Sequence, residues 1–237
     1  MQRFLFLCWV AACISSTCTF AQPAAVALPE GINDRFLDPE MNPEEWTERF
    51  ERDGREAYAA RNQILDAIGL KPGMRVADVG AGTGLFTVLF SDAVGEEGWV
   101  FAVDIAPKFI EHIANRAQAA SIDNITPVLC DEDSVNLPAE SIDVAFVCDT
   151  YHHFEHPRKT IASILKALRP GGRLVVVDFI REEGISSEWT LSHVRAGKEV
   201  FKEEILSTGF ELADEPQLKA LEENYLLVFR KPAGKKP

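Results

Sequence analysis

The segment Val76-Ala77-Asp78-Val79-Gly80-Ala81-Gly82-Thr83-Gly84 constrains this chain more than any other stretch. A short apolar run ends in three glycines at spacing two, and an apolar helical pattern over residues 85–94 follows. That order reads as a buried strand, a tight turn and a helix. Glycine lets the backbone turn sharply and approach a ligand closely. The helix beyond the loop offers free N–H groups at its first turn. The rest of the chain repeats the unit. Strands are expected at 75–79, 99–103, 125–130, 142–148 and 173–179, and helices at 85–94, 107–120, 157–168 and 198–208. Residues 210–213 and 225–230 are candidate closing strands. Residues 142–148 are nearly all apolar, as a parallel strand covered on both faces must be. Alternation of this kind predicts an α/β fold, with an open, mostly parallel sheet and helices on both faces.

The spacing of the loop separates ligand classes. A dinucleotide site uses G-x-G-x-x-G, with the pyrophosphate at the helix end. Here the pattern is D-x-G-x-G-x-G, built on Asp78, Gly80, Gly82 and Gly84, and Leu85 stands where the last dinucleotide glycine belongs. This arrangement resembles motif I of the class I S-adenosylmethionine (SAM)-dependent methyltransferases. Ile142-Asp143-Val144-Ala145-Phe146-Val147-Cys148-Asp149 is similar to the family's fourth strand, and Leu168-Arg169-Pro170-Gly171-Gly172-Arg173-Leu174 to its turn into the fifth. The resemblance spans residues 56–231 and is nearest the small-molecule enzymes, such as the ubiquinone/menaquinone biosynthesis group. It implies a Rossmann-like, seven-stranded sheet of order 3-2-1-4-5-7-6 with an antiparallel seventh strand. It also implies SAM as cofactor, with the loop running beneath its methionine part.

Further site residues follow from that register. Asp104, at the end of the second strand, can accept hydrogen bonds from two ribose hydroxyls. Taken alone it is equally a cap for the helix that begins at Pro107. Ile105 is placed against the adenine face. Asp131 corresponds to the family's contact to the adenine amino group, although Asp131-Glu132-Asp133 also reads as a solvated acidic loop. Asp149 is expected beside the methionyl group or the acceptor. Acceptors belong beyond the end of the fourth strand. That place holds Tyr151-His152-His153-Phe154-Glu155-His156.

His152 and His153 are candidates for a general base or for orienting the acceptor, against a role in packing. Asp149, His152, His153 and His156 have the chemistry to share an ion, but similar runs in the family serve as loop structure, so no metal is assigned. Residues 180–197 are expected to form an acceptor lid. His193 is a third candidate base, because histidine titrates near neutrality. Trp189 and Arg195 are the lid's other notable members. An N-terminal arm over residues 46–61 is expected to cap the opposite side, with Tyr58 and Arg61 as candidate contacts to the SAM carboxylate. The competing readings are an NAD-dependent oxidoreductase and a SAM-binding module without turnover.

The chain of 237 residues suits one such domain (44–231) with a helical cap at 44–68, preceded by a linker at 22–43 and followed by a basic tail at 232–237. Residues 1–21 have the layout of a signal peptide: Arg3, an apolar run over 4–14, small polar residues, then Thr19-Phe20-Ala21. The expectation is export, periplasmic or secreted. Val10-Ala11-Ala12-Cys13 also resembles a lipobox, which would mean a lipid anchor, and an uncleaved or wrongly assigned leader would leave the domain cytoplasmic. The apolar run is too short for a membrane-spanning helix. Net charge of −13 disfavours a nucleic-acid partner and agrees with a small-molecule substrate. Past the leader only Cys130 and Cys148 remain, read as core thiols rather than a disulfide.

Overall fold

The computed structural model describes residues 27–234. The expected leader and the last three residues of the basic tail lie outside that range. Among the described residues, the elements run α1 (Asp34–Leu37), α2 (Pro43–Phe50), α3 (Glu56–Ala59), α4 (Arg61–Ile68), β1 (Arg75–Val79), α5 (Leu85–Val94), β2 (Trp99–Asp104), α6 (Pro107–Ala119), β3 (Ile125–Leu129) and β4 (Ile142–Cys148). A 3-10 turn (Tyr151–His153) precedes α7 (Pro157–Ala167), β5 (Leu168–Phe179), α8 (Glu188–His193), α9 (Lys198–Leu206), β6 (Glu211–Asp214) and β7 (Asn224–Arg230). The sheet order is β3-β2-β1-β4-β5-β7-β6, as the resemblance implied. The pairs β2–β3, β1–β2, β1–β4 and β4–β5 are parallel, and β7 runs antiparallel to both β5 and β6.

Period-two burial explains why β4 lies in the middle. Its Val144, Phe146 and Cys148 enter one core cluster, shared with Ile64 of α4 and Phe86 and Phe90 of α5. Its Ala145 and Val147 enter the other, shared with Ile161 and Ile164 of α7 and Phe201 and Ile205 of α9, and so does Ile142, which precedes the register shift. A strand sandwiched in this way has no polar face, which is what its composition indicated. Parallel strands connected by helices place all their carboxyl ends on one rim, and the site forms there.

The structure departs from the sequence expectation mainly at short elements. The helical cap expected over 44–68 is α2, α3 and α4, broken by a turn at residues 51–55 that contains Gly54, and the short helix α1 lies in the stretch expected as a linker. Strand β5 starts at Leu168, which pairs with Ile142 before a register shift restores the ladder at Arg173. Part of the expected lid is the helix α8, whose N-cap Ser187 accepts from the Thr190 N–H. No helix among the described residues is long and apolar enough to cross a membrane. Cys130, just past the end of β3, and Cys148 of β4 are both free thiols, and β1 and β2 separate the two strands. Burial pushes the Cys130 thiol up to about 12, so it stays protonated.

Candidate active site

The carboxyl ends of β1, β2, β4 and β5 open into a cavity of about 800 Å³. That size suits a cofactor and a small second ligand together. The glycine loop forms its floor. Gly80, Gly82 and Gly84 have φ of +72°, +54° and +83°. A Cβ at Gly80 would run into the Thr150 side chain, so the close approach of the β1 and β4 ends requires glycine there. Gly80 and Gly82 line the cavity. Gly84, expected as a cofactor contact, does not. It is the N-cap of α5, and a Cβ there would sit 3.1 Å from Ile113 of α6. Its left-handed backbone and the close crossing with α6 require glycine there.

Asp104 is buried, and its two oxygens each accept one backbone N–H, from Ala106 and from Gly82, both at 2.8 Å. The carboxylate does not cap α6, whose N-cap is Ala106 without a side-chain cap bond; it holds the turn into that helix and pins the glycine loop. Each oxygen keeps a second lone pair, and the residue borders the cavity, so room for a ribose diol remains. Burial pushes its pKa up to about 6, opposed by those backbone N–H groups. Ile105 lines the cavity beside it. Asp131 also lines the cavity, exposed, and accepts from Asn136 Nδ2 at 3.0 Å.

Asp78 lies deepest. Burial pushes its carboxyl up to about 7, with the Thr87 hydroxyl, 2.6 Å away, holding it down in part. The folded-state value is raised, so Asp78 disfavours folding progressively as pH rises from about 4 to about 7, and its stability contribution is greatest below that window. Asp78→Asn is therefore expected to come nearest the wild type in thermal unfolding below about pH 4. At pH 8 it should be more stable, by on the order of 2–4 kcal/mol for a shift of about three units. Parallel stability curves across that range would mean that the buried carboxyl is not perturbed.

Asp149 adopts a left-handed backbone, φ +48°, at the end of β4. That conformation is uncommon outside glycine and is held here by side-chain contacts. Arg55 donates to Asp149 Oδ2 at 2.8 Å and Asn224 donates to Oδ1 at 2.7 Å. Burial pushes the Asp149 carboxyl up, and the Arg55 guanidinium offsets part of that. Arg55 was not foreseen. It is one polar residue in a turn, with no periodic signal around it. Tyr58 and Arg61, the arm residues expected at the site, stand away from the cavity. Arg61 donates to the Tyr58 carbonyl at 2.8 Å and covers the Tyr58 ring instead. Glu56 fixes the arm by accepting the backbone N–H groups of Glu222, Glu223 and Asn224.

Beyond β4 and β5, His152, His153 and His193 converge and all line the cavity. Asp178 of β5 accepts from both the backbone N–H and Nδ1 of His152. His153 Nδ1 meets Asn33 Oδ1 at 3.0 Å, so the arm reaches this side too. Burial and the neighbouring imidazoles push His153 down to about 2 and His193 to about 4, leaving both rings neutral at physiological pH. Trp189 stacks on His193 with centroids 4.6 Å apart. His156 lies apart, facing Glu132 at 4.0 Å. Arg195, expected in the lid, is instead buried in an ion pair with Glu204 of α9 and does not border the cavity.

The sequence profile of a family described as "Methyltransferase domain" matches residues 70–224, more than half of the chain. The chain belongs to this methyltransferase family. Family and fold together imply SAM as the cosubstrate. Among curated proteins, the ubiquinone/menaquinone biosynthesis C-methyltransferase UbiE of Vibrio vulnificus is 31% identical over 116 residues, 48% of this chain and 45% of that protein. The chain thus matches about half the length of these relatives. A SAM-dependent methyltransferase from Aquifex aeolicus superposes with TM-score 0.70 at 20% identity, covering 81% of this chain and 99% of that one. The cyclase SpnF superposes with TM-score 0.65 at 19% identity, covering 75% and 83%. At those identities the likeness is one of fold.

Proposed function

We propose that this protein is a SAM-dependent methyltransferase acting on a small-molecule acceptor. The observation that carries the reading is one cavity bordered at one end by Gly80, Gly82 and Asp104 and at the other by His152, His153 and His193. A fold shared with a cyclase does not decide the chemistry. The residues do. When bound, SAM supplies an electrophilic methyl group on a sulfonium. The glycine loop and Asp78 would hold its methionyl end, and Asp104 its ribose. Ile105 and Asp131 would hold its adenine. Arg55, fixed over Asp149, supplies the positive charge that a methionyl carboxylate needs.

The chain's own contribution to the reaction is alignment and exclusion of water. Phe36 and Trp46 of the arm and Trp189 of α8 line the cavity and narrow its solvent access. The neutral rings of His153 and His193 can orient an acceptor placed between them and the loop. Leu85, in place of the dinucleotide glycine, leaves the NAD reading without a phosphate-binding turn. Incubation with methyl-labelled SAM and a panel of phenols, quinols, amines and carbon acids tests the proposal. S-adenosylhomocysteine formed in step with a labelled acceptor supports it. Tight SAM binding without turnover on any acceptor would favour the non-catalytic module.

Export, by the leader over residues 1–21, belongs to the same proposal. It requires SAM outside the compartment that makes it. N-terminal sequencing of the protein recovered from cell fractions tests it, since an intact Met1 in the cytoplasmic fraction would refute it.

A further inference from the structure

The histidines at the acceptor end form a more ordered arrangement than a packed aromatic loop requires. We infer that His152, His153 and His193 bind a divalent transition-metal ion, zinc-like in its preferences, with an open position facing the acceptor side of the cavity. One ligand-capable nitrogen from each lies within 4.8 Å of the other two. His153 Nε2 and His193 Nε2 are 3.3 Å apart. Imidazole nitrogens about 2.0–2.1 Å from a tetrahedral ion stand roughly 3.3–3.4 Å from each other.

The surrounding hydrogen bonds fix which nitrogens are bare. Asp178 accepts from His152 Nδ1 at 2.8 Å, so Nδ1 carries the proton. His152 Nε2 then offers a lone pair, and it is buried with no hydrogen-bond partner. A nitrogen so placed is costly unless something occupies the space in front of it. Asn33 Nδ2 faces two acceptors, His153 O and Glu155 Oε1, so its Oδ1 points at His153 Nδ1. His153 Nδ1 therefore also carries its proton and leaves Nε2 free. Without an ion, His193 Nε2–H must donate to that nitrogen.

Histidine ligands in metal sites donate their other N–H to a carboxylate or carbonyl oxygen, which sets the tautomer and orients the ring. Asp178 and Asn33 occupy those positions. Three nitrogen ligands with a fourth position open is the form of a catalytic rather than a structural site. The ligand set is not the one the sequence suggested, because Asp149 is committed to Arg55 and Asn224 and His156 lies apart. An ion here would hold an acceptor through an oxygen or nitrogen donor and ease loss of its proton. This deepens the methyltransferase reading on the acceptor side, but ion binding is measured without SAM or acceptor, so either can fail alone.

The test uses the full chain stripped with chelator and titrated with Co²⁺. The expected result is one Co²⁺ per chain with the intense visible bands of a low-coordinate site, displaced by Zn²⁺. His193→Ala should abolish those bands. Asn33→Ala, which keeps all three ligands, should weaken binding about 10–100-fold. Circular dichroism checks that both variants fold, and if His193→Ala does not, Asn33→Ala decides. The weak octahedral spectrum of free Co²⁺ with the wild type, or the wild-type spectrum and affinity in the folded variants, would overturn the inference.

Discussion

Replacing Asp104 by asparagine is expected to weaken SAM binding by on the order of 100-fold or more. A ribose diol would give two hydrogen bonds to this carboxylate, and hydrogen bonds to charged groups contribute roughly 1.5–3 kcal/mol each. Every 1.4 kcal/mol or so is tenfold in affinity. The substitution also disturbs the loop. Asp104 now accepts from Gly82 and Ala106 through separate oxygens. Asparagine has a single acceptor oxygen, so one of those N–H groups would face an NH₂. The pH dependence separates the two effects. Wild-type affinity should fall as pH drops through about 6, where Asp104 becomes protonated. The ratio of wild-type to variant affinity should then shrink. Calorimetric titration from pH 5 to 8 reads both. A variant within threefold of wild type at pH 8 would remove Asp104 from the cofactor site.

The second large effect concerns stability. Glu204→Ala should lower unfolding free energy by about 3–5 kcal/mol, the usual cost of stranding one buried charge. Arg195 donates to both Glu204 oxygens, at 2.9 Å and 2.5 Å, and Tyr151 OH donates to one of them at 3.1 Å. The two charged side chains are 1% and 6% exposed, so the guanidinium would remain buried without its partner. For a domain of this size the loss corresponds to a melting-temperature decrease of roughly 10 °C. Below that temperature, SAM affinity should be unchanged. Unaltered melting with lost turnover would return Arg195 to the acceptor lid.

The residues that could be read in advance were those whose signal is local. The run 142–148 could only be a covered strand, and the glycine spacing placed the floor of the cavity. Asp78, Gly80, Gly82, Asp104, Ile105, Asp131 and Asp149 all border that cavity. Gly84 stands off the cavity lining, since spacing cannot distinguish a ligand contact from a tight turn at a helix crossing. Arg195 was misread because a charged residue in a loop is ordinarily solvated. A clue lay in α9, where Phe201, Glu204 and Ile205 share one buried face by helical spacing. A carboxylate on that face needs a partner. Arg55 and Asn33 offered no comparable clue, since each is a polar residue in a turn-prone stretch joined to the site only by tertiary folding. The partnership of His193 with His152 and His153 was equally hidden, because it depends on how the six-residue α8 returns over β5.

Calorimetric titration of the purified protein with SAM, S-adenosylhomocysteine and NAD tests the central claim most directly. The account predicts one site that takes both SAM and its demethylated product, with no heat from NAD. Absence of SAM binding, or binding of NAD in its place, would contradict it.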